Sequence, residues 1–414
     1  MEVYKHALGI VNRLSRAGHT AYFAGGWVRD YVMGHQSEDI DIATSALPAE
    51  IMDLFPNTIL VGLAFGVVIV PISGHQFEIA TFRKDLDYID GRRPQGIEPS
   101  TPIEDAKRRD FTINGMFFDP IESIIYDYVQ GKEDIQKRII RTIGDPYERF
   151  TEDKLRMLRA FRFAARFEFT VELETQEAIR ENTDSLFPSV AMERVWQEFN
   201  KMSSYPRFGQ ALIDMHRLGL LDVIFPEIEH MHLNELKQIV EPFHHFPPEC
   251  PTILYLMDLF EKSTLDQKVD IAKRIKASNQ DIKLLEFFDM LSSLIQKDEN
   301  GEEIINSTWA HLYSLPHFQL GLDVIAAHYS PEMKNNFLQK HVKRINTLNK
   351  HIQRIKERKP LVTSQLLKEH GIPNGKQMGL LLKTAEEIAI NNNYDDSIIV
   401  LKKLMEMPIW KGCI

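Results

Sequence analysis

Two acidic residues one position apart offer the clearest candidate chemistry in the sequence. Asp39 and Asp41 lie in an apolar stretch that is typical of a short strand. Side chains alternate along a strand, so both carboxylates are expected on one face. Adjacent carboxylates repel unless a cation lies beside them, and oxygen ligands at this spacing suit Mg²⁺ better than Zn²⁺. The pair is therefore predicted to hold Mg²⁺.

A glycine pair and an arginine precede these acids. Gly25 and Gly26 follow a short apolar strand, at the start of a predicted helix that carries Arg29. Glycine lets the backbone approach a bulky group closely, and the amino end of a helix favours an anion. This arrangement predicts phosphate binding.

Each of these signals has a plainer interpretation when it is taken alone. A Gly-Gly pair is most often a turn, and an isolated Asp-x-Asp is more often a solvated loop. The combination in this order is much narrower. The Gly-Gly-x-Val-Arg-Asp run of residues 25–30 and the Glu-Asp-Ile-Asp-Ile-Ala-Thr run of residues 38–44 resemble the active-site signature of the nucleotidyltransferases. In wording they are similar to the class II tRNA nucleotidyltransferases and bacterial poly(A) polymerases, which include the bacterial CCA-adding enzymes.

A second run with this resemblance is Arg-Arg-Asp-Phe-Thr-Ile-Asn at residues 108–114. A guanidinium can bind phosphate oxygens through two N–H groups, whereas Asp110 and Asn114 can bond ribose hydroxyls or brace the arginines. A helix cap with a buried salt bridge is the plainer alternative. The resemblance implies that Arg109 contacts the bound nucleotide.

The arginine-rich stretch 150–167 predicts one amphipathic helix, with Thr151 as its N-cap. Residues at three-residue steps on a helix are neighbours, and the opposite side carries an apolar stripe. The stepped residues are Asp153, Arg156 and Arg159, with the row drifting round the axis towards Arg162; the stripe is Leu155, Leu158, Phe161 and Ala165. Salt bridges within the helix are the plainer interpretation of this row.

An aspartate and an arginine can also read a nucleobase. Cytosine and adenine each present an amino donor beside a ring-nitrogen acceptor, and uracil and guanine present the reverse pattern. A carboxylate and a guanidinium match the first pattern and leave buried groups unpaired with the second. The Glu-Asp-x-x-Arg run of residues 152–156 resembles the family's nucleotide-selection motif. The resemblance implies that Asp153 and Arg156 read the base and that Arg159 and Arg162 lie along the nucleotide or its phosphates.

Two further features border the predicted sheet. Glu78 interrupts the apolar strand expected over residues 76–82; it is either an edge-strand charge facing water or a third carboxylate facing Asp39 and Asp41. The charged stretch 83–94 is predicted to be a mobile loop. It resembles the flexible loop that complete CCA-adding enzymes need for the final adenosine, which argues against an enzyme that adds only the two cytidines.

The predicted fold is α+β, with a nucleotidyltransferase head of mixed sheet and flanking helices followed by helical neck, body and tail domains. Their expected bounds are residues 1–147, 148–230, 231–335 and 336–414. Periodicity predicts a helix over 4–17 behind the sheet, a helix over 48–54, a hairpin over 66–82 and a strand over 139–143 that closes the sheet domain. Residues 189–199 also carry the family's wording and predict a capped helix that braces the arginine helix.

Composition is that of an ordinary soluble globular protein, with 43% hydrophobic and 26% charged residues among 414. No apolar run is long enough to span a bilayer, the amino terminus lacks a signal-peptide layout, and two cysteines offer no disulfide framework, so the cytoplasm is expected. The net charge of -10 does not exclude nucleic acid, because binding needs only local basic surface. The basic stretch 340–359 is either a solvated helix face or an RNA contact, and the tail is predicted to touch tRNA.

The resemblance implies addition of C, C and A to the 3′ end of tRNA. The RNA hydroxyl would attack the α-phosphate of CTP or ATP and pyrophosphate would leave, with two Mg²⁺ ions held by Asp39 and Asp41 and with Glu78 as a further catalytic carboxylate. Gly26, Arg29 and Arg109 would hold the triphosphate. The alternatives are a poly(A) polymerase, an enzyme that adds only the terminal A, and, in a different class, a non-catalytic RNA-binding protein that kept the fold.

Overall fold

A computed structural model describes residues 2–59, 66–86 and 96–411. The chain forms two compact units. The first comprises Met1–Glu241, Asp258–Phe260 and Arg274–Lys276; the second comprises Pro242–Met257, Glu261–Lys273 and Ala277–Ile414. The predicted head and neck thus lie within one unit, and their division at residue 147, like that between body and tail, stays a prediction.

All strands found among the described residues belong to the first unit. They are β1 (Ala21–Ala24), β2 (Asp41–Thr44), β3 (Val67–Ile72), β4 (His75–Thr81), β5 (Arg83–Asp85), β6 (Ile97–Pro99), β7 (Phe117–Asp119), β8 (Ile124–Tyr126), β9 (Ile139–Ile140) and β10 (Thr170–Val171). A mixed sheet has the order β3-β4-β2-β1-β7-β8. Within it β2 and β4 run parallel, and the other neighbouring strands run antiparallel.

Helices flank this sheet and then dominate the chain. Up to residue 241 they are α1 (Glu2–Arg16), α2 (Gly26–Val32), α3 (Pro48–Leu54), α4 (Pro102–Lys107), α5 (Gly131–Lys137), α6 (Pro146–Glu152), α7 (Arg156–Phe167), α8 (Leu173–Asn182), α9 (Met192–Met202), α10 (Phe208–Arg217), α11 (Leu220–Ile224) and α12 (Leu233–Val240). The mixed sheet followed by helices confirms the predicted α+β class.

The remaining helices follow after residue 250. They are α13 (Thr252–Asp258), α14 (Leu265–Arg274), α15 (Asn279–Glu299), α16 (Asn306–Ser314), α17 (Phe318–Ala327), α18 (Pro331–Glu357), α19 (Ser364–Glu369), α20 (Lys376–Asn391), α21 (Ser397–Glu406) and α22 (Pro408–Lys411). No helix among the described residues is both long and apolar enough to cross a bilayer.

The two faces of the main sheet differ because side chains alternate along each strand. One face carries Phe23, Ile42 and Ile79, which pack in one buried cluster with the apolar stripe of α1. The opposite face carries small and aromatic residues such as Ala24 and Phe117. Burial of the first face confirms the prediction that the amino-terminal helix lies behind the sheet, and leaves the second face for Asp41.

Local signals located several elements correctly. Pro48 begins α3, where its fixed φ suits the first helical turn and its missing N–H costs nothing. β3 and β4 form the predicted hairpin, with Ser73 and Gly74 at its turn in left-handed conformations.

The predicted loop over 83–94 is wrong at its start, because residues 83–85 form β5 and pair with β6. Residues 87–94 of that loop lie outside the described residues, as do Leu60 and Val61 of a predicted strand.

The strand over 139–143 does not close the main sheet, so that prediction is wrong. Only Ile139–Ile140 of this segment forms a strand, which lies parallel to Thr170–Val171 in a separate two-stranded sheet, and Thr142 makes an isolated antiparallel bridge with Phe111. The chain reaches β9 through α5 and a left-handed Arg138, which lead it away from the edge of the main sheet. The β9 strand therefore connects the head to the helical part of the first unit.

In the second unit, a histidine lies inside an aromatic cluster. His341 of α18 is 1% exposed, and its Nδ1 lies 2.9 Å from the hydroxyl of Tyr313. The rings of Trp309, Phe318 and Phe337 surround it. Burial, followed by the positive charge of Arg344, lowers the pKa of His341 to about 4, whereas Asp298 opposes this shift and Lys340 adds to it.

This burial predicts a stability loss on acidification. Between the ordinary pKa of 6.5 and the folded pKa of about 4, the unfolded chain binds a proton that the folded chain does not, so the free energy of unfolding falls as pH falls. The full shift corresponds to roughly 3 kcal/mol. His341→Gln cannot bind that proton, so its free energy of unfolding should decrease less on acidification, as measured by urea unfolding at neutral pH and near pH 5.

His370→Gln provides the matched control, because His370 belongs to the same unit but is exposed. It should retain the pH dependence of the wild-type chain. An equal pH dependence in His341→Gln and the wild type would contradict the predicted effect of burial.

Candidate active site

A cleft of about 570 Å³ opens at the carboxyl end of β1 and the start of β2. The sheet, α2, the 108–114 segment and α7 all contribute to its walls. Nine of the residues predicted from sequence line it: Gly26, Arg29, Asp39, Asp41, Arg109, Asp153, Arg156, Arg159 and Arg162. The structure therefore brings together acidic, glycine and arginine motifs, some of which lie more than a hundred residues apart in sequence.

The acid pair is placed where alternation predicts, but the strand is shorter than expected. β2 begins at Asp41, so Asp39 precedes it. Asp39 is exposed and Asp41 is half-buried, while Ile40 and Ile42 between and beside them are buried. Burial first, then the charges of Asp39 and Glu78, raise the pKa of Asp41 to about 6, against the opposing influence of Arg109. Among the described residues, neither carboxylate makes an ion pair with a cationic side chain.

Glu78 lies next to this pair without lining the cleft. Parallel pairing of Ile42 with Ile79 brings the preceding residues, Asp41 and Glu78, side by side. Glu78 is exposed. In the described parts of the chain, no group of three or more His, Cys, Asp or Glu side chains is arranged to hold a metal ion. Glu78 thus acts on Asp41 through its charge, and its catalytic role stays a prediction.

The glycine pair permits a close approach of two chain segments. Gly25 has φ 63 and ψ -124, a conformation that favours glycine, and it is the N-cap of α2. A Cβ at this position would lie 3.0 Å from Nη1 of Arg109. The turn therefore leaves room for the guanidinium of Arg109, which the sequence resemblance predicts to contact the nucleotide.

A buried hydrogen-bond relay joins α2 to α7. Arg29, which is 3% exposed, donates from Nη1 to Oδ1 of Asn114 at 2.5 Å. Asn114 donates in turn to Asp110 at 3.0 Å, and Asp110 accepts from Nε of Arg159 at 2.9 Å and also from its Nη2. Burial alone would raise the pKa of Asp110, but Arg159 and Asn114 outweigh it and hold that pKa well below its ordinary value. In this structure, Asp110 and Asn114 brace the arginines.

Other arginines of the cleft are held in the same manner. Asp30 accepts from Arg29 at 2.8 Å and from Arg166 at 3.0 Å. Arg109 donates from Nη2 to Asp105 at 3.0 Å, with its guanidinium carbon 5.0 Å from the centre of the Phe117 ring. Sequence reasoning did not assign Asp30 and Arg166 to the site, although Arg166 continues the arginine row of α7 by one further turn. Each positive charge thus has a carboxylate partner that fixes its direction.

The predicted single helix over 150–167 is wrong, because two helices meet there. Asp145 caps α6 by accepting from the amide of Tyr147, and Pro146 follows in the first turn. Asp153 then leaves the helical conformation with φ -145 and ψ 104, and α7 begins at Arg156. Thr151 is inside α6, where its hydroxyl donates to the carbonyl of Tyr147, so it is not an N-cap. Asp153 consequently enters the cleft from a linker rather than from the arginine helix.

Arg156 keeps part of its donor capacity despite its burial. Its Nη1 donates to Glu152 at 2.6 Å and to the carbonyl of Arg149 at 3.1 Å, and its Nη2 donates to the carbonyl of Arg108 at 3.1 Å. A guanidinium has five N–H groups. Within the described structure, the Nε–H and one Nη2–H therefore have no protein acceptor.

The apolar side of α7 is buried as predicted: Leu155, Leu158, Phe161 and Ala165 all lie in the interior. The helix expected over 189–199 is α9, which packs on α7 and so confirms the predicted bracing. Its N-cap is Ala191, without a side-chain hydrogen bond, so the predicted capping side chain is absent there. A glutamate of α9, Glu198, accepts from Nε of Arg162 at 2.6 Å.

Comparison with known proteins agrees with this geometry. A family model described as "Poly A polymerase head domain" matches residues 21–141, and one described as "Probable RNA and SrmB- binding site of polymerase A" matches residues 168–231. The chain is 33% identical over 408 residues to the CCA-adding enzyme of Lactobacillus johnsonii, covering 95% of each protein. It is 44% identical over 218 residues to that of Geobacillus thermodenitrificans, covering 52% of this chain and 54% of the relative.

A solved structure resembles the whole chain. The crystal structure of the Bacillus stearothermophilus CCA-adding enzyme in complex with CTP matches with a TM-score of 0.78 and 27% identity, covering 97% of this chain and 98% of the other. Near-complete coverage at both sequence and structure level extends the resemblance beyond the motifs to the helical remainder. The chain therefore belongs to the CCA-adding enzymes, a family of nucleotidyltransferases.

Proposed function

We propose that this protein adds C, C and A to the 3′ end of tRNA, using CTP and ATP and releasing pyrophosphate. The observation that carries the proposal is the shared cleft, in which an acid pair, a glycine turn and four residues of the nucleotide-selecting segment meet. The relatives named above support the reaction, since each is a CCA-adding enzyme and the solved one binds CTP. We further propose that it acts in the cytoplasm.

The acid pair supports binding of a divalent cation. Asp39 and Asp41 are carboxylates, which are the ligands that Mg²⁺ prefers. Burial first, and then repulsion from Asp39 and Glu78, raise the pKa of Asp41, and a bound cation would relieve that repulsion. We propose that the two residues hold two Mg²⁺ ions. Bound there, Mg²⁺ would favour the ionised RNA 3′-hydroxyl and offset the negative charge of the phosphates. The chain itself contributes the position and the charge of both carboxylates.

The triphosphate would lie against the glycine turn. Gly26 begins α2 on the cleft wall, and Arg29 lies beneath it, with three of its N–H groups engaged by Asp30 and Asn114. Arg109 is more accessible and lies close to Gly25. We therefore assign direct phosphate contact to Arg109 and a more remote electrostatic contribution to Arg29.

The base would lie against the linker between α6 and α7. Asp153 supplies an acceptor for the amino group of cytosine or adenine, and the free N–H groups of Arg156 supply donors for the ring nitrogen. Uracil and guanine would place a carbonyl acceptor against the carboxylate and a ring N–H donor against the guanidinium, which would leave these groups unpaired. Arg159 and Arg162 line the same wall and would lie along the nucleotide.

The alternatives predict different products from the same site. A poly(A) polymerase would extend any RNA with A, and an A-adding enzyme would use only ATP. The intact Asp39 and Asp41 argue against a non-catalytic RNA-binding protein.

We also propose that the tail, residues 336–414, contacts tRNA. Several of its basic residues pair with acids, including Arg344 with Asp298 and Lys350 with Asp395. Binding of tRNA would therefore depend on the remaining basic residues of the tail.

Replacing the half-buried acid of the pair tests the catalytic assignment. Asp41→Asn preserves the shape of the side chain but removes the charge, so nucleotide incorporation and pyrophosphate release should fall roughly a thousandfold or more. RNA binding, measured by gel shift, should stay near the wild-type level. Asp53→Asn is the matched control, because Asp53 is an exposed acid of α3 in the same unit. Turnover of Asp41→Asn near that of the control would refute the assignment.

Replacing the linker acid tests base reading. Asp153→Asn exchanges one acceptor for a donor, so kcat/KM for CTP should fall about a hundredfold, while relative use of UTP should rise. The measurement is single-nucleotide incorporation with each of the four nucleotides. Glu148→Gln, an exposed acid of α6, serves as the charge control. Unchanged preference for CTP over UTP in Asp153→Asn would contradict base reading by this residue.

A further inference from the structure

The first carboxylate of the acid pair lies outside the main sheet. β2 begins at Asp41, so pairing with β1 fixes the backbone of Asp41 but not that of Asp39. Asp39 is exposed, whereas Ile40 beside it is 4% exposed and belongs to the core cluster on the α1 face. The direction of the Asp39 carboxylate therefore depends on the segment that leads from α2 into β2, residues 33–40.

A side chain of α2 holds this segment from the interior. The indole Nε1–H of Trp27 donates to the carbonyl oxygen of Ser37 at 3.2 Å. Ser37 lines the cleft and lies two residues before Asp39. Trp27 is 7% exposed and is not among the residues that line the described cleft. Any effect of the indole on a bound cation would therefore be transmitted through residues 37–39.

The indole itself is held on several sides by aromatic rings. Its centre lies 5.0 Å from that of Phe23, which meets it edge-on, and 5.5 Å from that of Phe118. Tyr31 stacks on it at 5.0 Å with 12° between the ring planes. Aromatic pairs favour particular orientations, and Phe23 and Phe118 belong to paired strands of the main sheet. The direction of the Trp27 N–H is therefore set by the sheet.

The other hydrogen bonds of this segment lie further from the acid. Residues 35–40 belong to no helix or strand. The amide of His35 donates to the carbonyl of Asp30 at 2.8 Å, which fixes how the chain leaves α2. Before β2 begins, the hydrogen bond nearest to Asp39 among the described residues is the one that Ser37 accepts from the indole.

We propose that Trp27 is a positioning residue that places the Asp39 carboxylate beside Asp41 for a divalent cation. This inference rests on the proposed function, in which the two carboxylates hold Mg²⁺. Ligands bind a cation more tightly when their relative position is set beforehand, because ordering the chain then costs nothing on binding. The sheet places Asp41, and the indole places the segment that carries Asp39. Without the indole N–H, that segment must become ordered when the cation binds, and the affinity for the cation falls.

The test compares Trp27→Phe, which keeps an aromatic ring but removes the N–H, with the wild-type chain. The probe is Mn²⁺, which oxygen ligands also bind, titrated into the full chain while electron paramagnetic resonance measures free Mn²⁺. Asp39→Asn defines the part of the binding that depends on the acid pair. The dissociation constant for that part should rise about fivefold or more in Trp27→Phe, since groups that orient metal ligands commonly contribute about tenfold or more.

The matched control is Trp309→Phe. Its indole N–H is also buried but has no hydrogen-bond partner among the described residues, so its loss should leave the Mn²⁺ dissociation constant at the wild-type value. A purely structural role of Trp27 would lower the free energy of unfolding in urea without changing the affinity of the folded chain for Mn²⁺. The binding measurement therefore separates positioning from packing.

Each outcome decides one claim. A wild-type chain that incorporates no nucleotide with Mg²⁺, or that binds Mn²⁺ no better than Asp39→Asn, would refute the proposed function or its metal site and overturn this inference with it. Incorporation and Asp39-dependent binding in the wild type, with an unchanged dissociation constant in Trp27→Phe, would overturn the positioning role alone.

A second measurement applies if circular dichroism shows that Trp27→Phe is unfolded. The indole N–H resonance of Trp27 is then followed by nuclear magnetic resonance in the wild-type chain, after assignment by elimination with phenylalanine variants of the other three tryptophans, Trp196, Trp309 and Trp410. Addition of Mg²⁺ should shift this resonance in the wild type and not in Asp39→Asn, because the cation and the indole bind the same segment. A resonance that Mg²⁺ leaves unchanged would overturn the role.

Discussion

The active-site region depends on the pairing of buried guanidinium groups. Arg29, Arg156 and Arg162 are each less than a tenth exposed, and a buried cation without a partner would cost several kcal/mol. Each therefore has a carboxylate or carbonyl partner on another segment. Because these partners come from the 108–114 segment, α6 and α9, satisfying the arginines of α2 and α7 fixes how these elements pack.

This pairing also determines what the site can do. An arginine whose donors are all engaged is a structural charge, whereas one with donors left over can bind a ligand. Arg29 is largely engaged, and Arg156, which lines the cleft, retains two N–H groups without a partner among the described residues. The same network that stabilises the fold thus distinguishes arginines that contribute only to the electrostatic potential of the cleft from arginines that would also contact the nucleotide. The same cleft is lined by the acid pair, whose mutual repulsion a bound cation would relieve.

Local sequence patterns were sufficient for the parts of the site that depend on short-range geometry. The glycine turn needs a positive φ at Gly25, the acid pair follows from strand alternation, and the hairpin follows from its turn residues. The arginine row was visible as a helical period. Its neighbours across space were not: the break at Asp153, the partnership of Arg194 with that residue and the pairing of β9 with β10 all depend on contacts between distant segments. Apolar periodicity continues smoothly through residues 150–167, so it could not reveal that two helices meet there.

The most direct measurement of the central claim is incorporation of each labelled nucleotide, alone and with CTP and ATP together, into tRNA transcripts that end before CCA, after C and after CC. A single protein-built edge that accepts only C and A predicts ordered addition of C, C and one A, with UTP and GTP refused. An unlimited A tail on any RNA would indicate a poly(A) polymerase, and A on the CC-ending transcript alone would indicate an A-adding enzyme. Absence of any incorporation would contradict the catalytic account as a whole.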